Sequence, residues 1–334
     1  MPEPETQTPG EQRNQLFDRY LLPKVALTVI LVASLLGTWV STTLSGTTTL
    51  FLIGAKWVYF VGVGVLTGGF VWKHLFVRPA DLGADAADYC AAMYDRFDRI
   101  ATAAIAVVGI SGTAVVWTYF DTFGPTTGLL GYVVLVLLWL AVAGIATRRT
   151  TTVTHQFRSP IGAASLVLAI AVLIATAITE VGLRGLGPMA AAVRVLHLLT
   201  FAVWIGGAVW NIFVAVPTGQ HRPTVPVVRA AGQQLERFRW AVRFIIPTLL
   251  LTGLYQAGDA IGTTVTPYLG STIGLVVLAK IASIGVLVGI FKLCPMWRAC
   301  SPIDGVCDLT DLQTGPQSGE ADPFDDARQV PPDD

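Results

Sequence analysis

Long apolar runs separated by short polar segments dominate this 334-residue chain. The runs are continuous rather than alternating, so they indicate helices and not the strands of a membrane β-barrel. Each run is close to the roughly 20 residues that a helix needs to cross a hydrocarbon core about 30 Å thick. We predict eight membrane-spanning helices, over residues 23–44, 52–76, 99–120, 128–147, 160–181, 193–215, 243–262 and 271–292.

The composition agrees with a chain that lies in a lipid bilayer. Hydrophobic residues make up 53% of the sequence and charged residues 13%, whereas soluble domains carry roughly a quarter charged residues. The net charge is zero, so no overall field favours nucleic acid as a partner. The sequence therefore predicts an all-α integral membrane protein with eight transmembrane helices.

The basic residues of the connecting segments fall mainly on one side of the predicted membrane. Lys56, Arg184 and Arg194 are the three on the other side. Because basic segments remain in the cytoplasm, we expect a multi-pass protein of the plasma membrane with both termini cytoplasmic. Residues 1–22 would form a cytoplasmic N-terminal segment, and the Pro- and Asp-rich residues 294–334 a disordered cytoplasmic tail.

The two halves of the membrane region, residues 23–150 and 151–293, resemble each other. At a constant offset within each helix, Gly68, Gly69, Trp72 and Pro79 correspond to Gly206, Gly207, Trp210 and Pro217, and Arg96, Phe97 and Gly112 correspond to Arg237, Phe238 and Gly253. Four spans return the chain to its starting side, so we expect two parallel four-helix repeats related by rotation about the membrane normal. Glycine pairs let backbones approach closely, so the helices that carry them should pack at the centre of the bundle.

The halves differ at positions that could carry chemistry. Tyr59 corresponds to His197, and Leu137 corresponds to Lys280, so the second half has a histidine and a lysine inside the membrane where the first half has neither. Intramembrane ionisable residues are costly and usually face the interior of the bundle, where they mark functional sites. We therefore expect His197 and Lys280 to face inward, within a site that the second half holds.

Three short motifs of the second half resemble the CopD family of copper-resistance membrane proteins. They are Arg194-Val-Leu-His197 leading to Trp204-Ile-Gly-Gly207, Arg237-Phe238 followed by Leu251-Thr-Gly-Leu254, and Tyr268-Leu-Gly270 leading to Ala279-Lys280. The resemblance covers residues 193–292. It implies a transporter-like protein rather than an enzyme, for copper transport or tolerance. The copper ion would enter from the outer face at His197, where an extracytoplasmic copper-binding protein could deliver it.

The same histidine and lysine pattern also resembles the HemJ family of membrane protoporphyrinogen oxidases, whose shorter chains bind haem. That resemblance implies haem b with His197 as an axial ligand, and a role in oxidoreduction or electron transfer. A third hypothesis is a structural or assembly protein whose intramembrane charges only fix helix packing. No Walker loop, Ser-His-Asp set or dinucleotide fingerprint occurs, so nothing in the sequence indicates ATP-driven pumping.

His197 and Lys280 each have a functional and a structural interpretation. Imidazole suits copper and haem iron, but a buried histidine can also hydrogen-bond across helices. Lys280 comes nine residues after Ser271, which places it about 14 Å deep at 1.5 Å per residue. It could be the counter-charge of an anion, a gate that repels cations, or the partner of Glu180 or Asp259.

The remaining candidates lie near the outer face or in the C-terminal tail. Glu180 and Asp259 lie near the outer ends of their spans and could line an outer vestibule with Arg194, although interfacial charge without a role is the simpler interpretation. The cysteines of the tail could capture Cu(I) as thiolates or remain reduced thiols; they are Cys294, Cys300 and Cys307. The four methionines form no Met-x-x-Met run, so no thioether pathway for Cu(I) is visible.

Overall fold

The computed structural model describes residues 9–46, 49–77, 87–148, 159–221 and 224–293, and within these ranges the chain forms helices and no strand. The eight long helices are α1 (Pro9–Leu44), α2 (Leu50–Val71), α3 (Ala87–Phe123), α4 (Thr127–Arg148), α5 (Pro160–Leu183), α6 (Pro188–Val209), α7 (Val225–Ile261) and α8 (Thr272–Leu293). A π-helical segment, Trp72–Phe76, continues α2. Another, Trp210–Ala215, and a last α-helical piece, Val216–His221, continue α6. A six-residue helix, Val265–Gly270, precedes α8.

The described residues include eight helices that are long and apolar enough to cross a membrane. Each predicted span falls on one of them, which confirms the predicted fold class and the number of spans. The predicted starts of α3 and α7 were about 12 and 18 residues too late, because hydropathy detects only the apolar part of a helix. Their N-terminal parts are amphipathic, and in α3 this part buries Tyr89, Met93 and Tyr94 at helical spacing.

The two glycine-bearing helices, α2 and α6, pack against each other at the centre of the bundle. A Cβ atom on Gly68 would collide with the backbone of Ala202 and Gly206, and one on Gly206 would collide with the backbone of Gly68. The absent side chains therefore let the two backbones touch. This confirms the prediction that the glycine pairs mark the central helices.

Matching aromatic residues join each half of the chain to the other. The ring of Phe97 on α3 lies 5.3 Å from that of Trp210, and the ring of Phe238 on α7 lies 5.6 Å from that of Trp72. These four residues are the ones that the sequence pairs between the halves. The π-helical segments also begin at Trp72 and at Trp210. These contacts support the repeat, and the rotation that would relate one whole half to the other stays a prediction.

The outer helices of each half pack against outer helices of the other half. The first helix of each half packs against the last helix of the other, α1 against α8 and α5 against α4. The halves differ where their third and fourth helices meet: α3 and α4 pack together more extensively than α7 and α8 do. The looser contact between α7 and α8 opens a cleft that α1 covers, and this cleft contains the candidate site.

Candidate functional site

A buried cluster of three charges lies beside the cleft. The Glu180 carboxylate is ion-paired with Lys56, whose Nζ lies 2.7 Å from Oε1, and accepts from Arg194, with Nη2 2.6 Å and Nε 3.1 Å from Oε2. Lys56 is 2% exposed and Glu180 is 7% exposed. Arg194 also donates from Nη1 to Gln256 Oε1 at 3.2 Å. The cluster joins α2, α5, α6 and α7, and it has one more positive charge than negative.

The cleft lies between α1, α6, α7 and α8, and its described lining is basic and apolar. Arg184, Arg194, Lys280 and His197 line it, and none of its described lining residues is a carboxylate. It encloses about 100 Å³. Its lining on α7 runs from Leu249 to Ile261, about 18 Å of helix, towards the predicted outer end of the bundle.

The environment of His197 fixes which of its ring nitrogens carries the proton. Thr252 donates its hydroxyl hydrogen to the Thr248 carbonyl at 2.6 Å, so its oxygen can only accept from the imidazole. His197 Nδ1, 2.8 Å from that oxygen, is therefore the protonated nitrogen. Nε2 is left with a free lone pair in a residue that lines the cleft. Histidines that ligate metals are held in this way, by a hydrogen bond from the second ring nitrogen.

Lys280 reaches from α8 across the cleft to α1. It lies eight residues after Thr272, about 12 Å along the helix. A Cβ atom on Gly37 would be 2.7 Å from its Nζ, so the absent side chain makes room for the ammonium group. No hydrogen bond or ion pair joins this group to another described residue, and Glu180 is held by other cations. The pairing with Glu180 that the sequence left open is therefore not formed.

The other predicted residues have separate positions. Asp259 is exposed, and it lines a small cavity with Glu180, Arg184 and Arg194 at the predicted outer end. Tyr59 is buried and hydrogen-bonded to Tyr132, away from the cleft. The three tail cysteines, Cys294, Cys300 and Cys307, lie outside the described residues. Within the described part of the chain, no group of three or more His, Cys, Asp or Glu side chains could hold a metal ion.

Sequence reasoning missed the residues that hold the site together. The sequence placed Lys56 on the outer side with Arg184 and Arg194 but did not identify it as a partner of Glu180. Thr252 hydrogen-bonds to His197, and Gln256 hydrogen-bonds to Arg194. Both hydrogen bonds join α7 to the antiparallel helix α6. Polar residues four apart on α7 and three apart on α6, within apolar helices, were the available signal.

No protein-family model matches this chain, no curated protein matches it and no solved structure matches it. The resemblances to the CopD and HemJ families therefore stay predictions from the motifs. The cleft combines a histidine nitrogen with a free lone pair, three basic side chains and apolar walls.

Proposed function

We propose that this chain binds haem b in the cleft and works as a membrane electron-transfer protein or oxidoreductase. The observation that carries the proposal is the fixed tautomer of His197, whose Nε2 has a free lone pair in a basic cleft. One imidazole is enough to hold haem iron, as in proteins with a single proximal histidine. Bound haem would supply a one-electron redox centre inside the membrane.

The charges of the lining support a ligand with carboxylates. Haem b has two propionates, and burying them near the membrane requires cationic partners. Arg194 lies one helical turn from His197 towards the predicted outer end, and Arg184 lies beyond it. Lys280, which has no acceptor among the described residues, provides a third cation. We expect Arg194 and Arg184 to hold the propionates and Lys280 to counter the remaining negative charge.

The walls of the cleft suit a flat apolar ligand at an open face. Leu249, Val277 and Ile281 line it, and such side chains pack against porphyrin faces. The enclosed space of about 100 Å³ is smaller than a macrocycle, so haem would enter only if α7 and α8 moved further apart. Haem would therefore have one edge exposed to lipid, between α7 and α8.

Copper transport, the first expectation from the sequence, has less support from the cleft. The described lining offers one imidazole and no thiolate, thioether or carboxylate, and its arginines and lysine repel a bare cation. Copper binding at His197 stays a prediction based on the CopD resemblance. Equal copper content in the purified wild type and in His197→Ala would contradict it.

One absorption experiment tests the haem proposal. The full chain is expressed in haem-replete cells and purified as wild type, His197→Ala and, as a matched control, His221→Ala. His221 is exposed at the end of the last piece that continues α6. We expect a Soret band in the wild type and in His221→Ala, and its loss in His197→Ala. A wild type without a Soret band, or one that His197→Ala retains unchanged, would contradict haem ligation at His197.

A further inference from the structure

A second cavity, of about 320 Å³, lies between α2, α3 and α4, on the opposite half of the chain from the cleft. Its described walls are apolar except for Thr113 and two tyrosines, Tyr59 and Tyr132. Trp117 and Leu137, which line it, are 75% and 61% exposed. Because both lie on membrane-spanning helices, the cavity opens towards lipid rather than towards water. A ligand of this cavity would arrive from the bilayer.

Two tyrosines that line the cavity, Tyr59 and Tyr132, continue into a chain of three hydroxyl groups that ends at Thr176 behind the wall. Thr176 donates to the Val172 carbonyl at 2.7 Å, so its oxygen accepts from Tyr132, 3.1 Å away. Tyr132 has then used its hydrogen, and Tyr59 donates to it in turn. All three hydrogens are used within this chain, which ends at the Val172 carbonyl. The Tyr59 oxygen, in a side chain that is 3% exposed, is left with acceptor capacity and no hydrogen to give.

This direction determines what the cavity can recognise. A ketone, an ester or an oxidised quinone has a polar end that only accepts hydrogen bonds. Such a ligand would face the Tyr59 oxygen, which also only accepts, and no hydrogen bond would form. A ligand with a hydroxyl hydrogen would complete the chain by donating to Tyr59. The order of the three hydroxyl groups therefore selects for a donor at the head of the ligand.

The rest of the wall favours a flat ring. Gly109 and Gly112 of α3 form part of it, and a Cβ atom on Gly109 would meet nothing within 4 Å. Glycines in a helix leave a smooth backbone surface on which a ring can lie. Trp117 and Phe120 add aromatic faces, which pack well against another ring. The volume lies within the usual range for small-molecule sites, roughly 300–1,000 Å³.

We propose that this cavity binds a membrane-soluble hydroquinone, with one ring hydroxyl donating to Tyr59 and the apolar tail leaving between α3 and α4 towards lipid. The cavity would bind the reduced form of the ligand more tightly than the oxidised form, and no reaction is included. This proposal does not rest on haem in the other cleft, so either proposal can fail without the other.

The test is equilibrium binding to the full chain in lipid nanodiscs. Four probes with the same ten-carbon tail are compared: a hydroquinone, its oxidised quinone, its dimethyl ether, which has no donor, and a ring-free alcohol. Variants are Tyr59→Phe, Gly109→Leu and the control Gly144→Leu. Gly144 also has open space around a Cβ atom but does not line the cavity.

We expect the hydroquinone to bind more tightly than the other three probes. Tyr59→Phe should weaken it about fivefold, the effect of one hydrogen bond. Gly109→Leu fills the cavity and should weaken it more than about tenfold, since a displaced ligand loses most of its buried area. Gly144→Leu should bind as the wild type does. The proposal is overturned if the quinone or the ether binds as tightly as the hydroquinone, if the alcohol does, or if Gly109→Leu leaves binding unchanged.

Discussion

Replacing Glu180 by glutamine should be among the most destabilising single changes in this protein. The carboxylate holds two cations that come from different helices, Lys56 of α2 and Arg194 of α6. Glu180→Gln keeps the shape but removes the charge, which leaves two buried cations side by side. Breaking a buried ion pair from one side costs about 3–5 kcal/mol of stability, mostly because the remaining charge has no partner.

Replacing Lys56 should cost less than replacing Glu180. In Lys56→Met the Glu180 carboxylate still accepts two hydrogen bonds from Arg194, through Nε and Nη2. The loss is one charged contact of the carboxylate, worth about 1.5–3 kcal/mol. In the double variant Lys56→Met/Glu180→Gln, the unpaired lysine is gone. Arg194, which is more exposed than Lys56 and also bonded to Gln256, is the one cation of the cluster left.

A double-mutant cycle measures the interaction free energy between Lys56 and Glu180. The wild type, both single variants and the double variant are unfolded with SDS in bicelles and followed by helical circular dichroism. Because the two residues share one interaction, the double variant should be more stable than the sum of the single effects predicts, by about 2 kcal/mol. Additive effects within the usual error of about 0.5 kcal/mol, or a larger loss in Lys56→Met than in Glu180→Gln, would refute the reasoning.

Three further changes test other parts of the structure. Gly68→Ala forces the backbones of α2 and α6 apart and should cost about 1–3 kcal/mol or more, whereas Gly144→Ala, with open space around it, should be neutral or stabilising in the same SDS assay. Thr252→Val removes the acceptor for His197 Nδ1 and should weaken haem binding about 10–100-fold in a haem titration, which an unchanged affinity would disprove. Lys280→Met should weaken haem binding without lowering stability; haem binding equal to that of the wild type would contradict the role of Lys280 as a counter-charge.

The sequence was enough to predict two residues of the candidate site but not the residues that they contact. His197 and Lys280 were identified because ionisable groups inside apolar helices are costly and therefore informative. Their partners were not identified, because the rotation of each helix about its own axis depends on the helices that pack against it. The sequence of one helix does not determine that rotation. Lys280 has Gly37 of α1 as its neighbour instead of the predicted carboxylates, and the carboxylate of Glu180 belongs to Lys56 and Arg194.

The sequence by itself determined that eight helices cross the membrane and that two glycine-bearing helices lie at the centre. Both properties are local: apolar length decides whether a segment spans the bilayer, and a missing side chain decides how closely a backbone can be approached. Only the tertiary structure decided that α7 and α8 separate while α3 and α4 do not, and that Thr252 fixes the tautomer of His197. These features depend on which helix faces meet between residues far apart in the chain, and that is a property of the packed bundle as a whole.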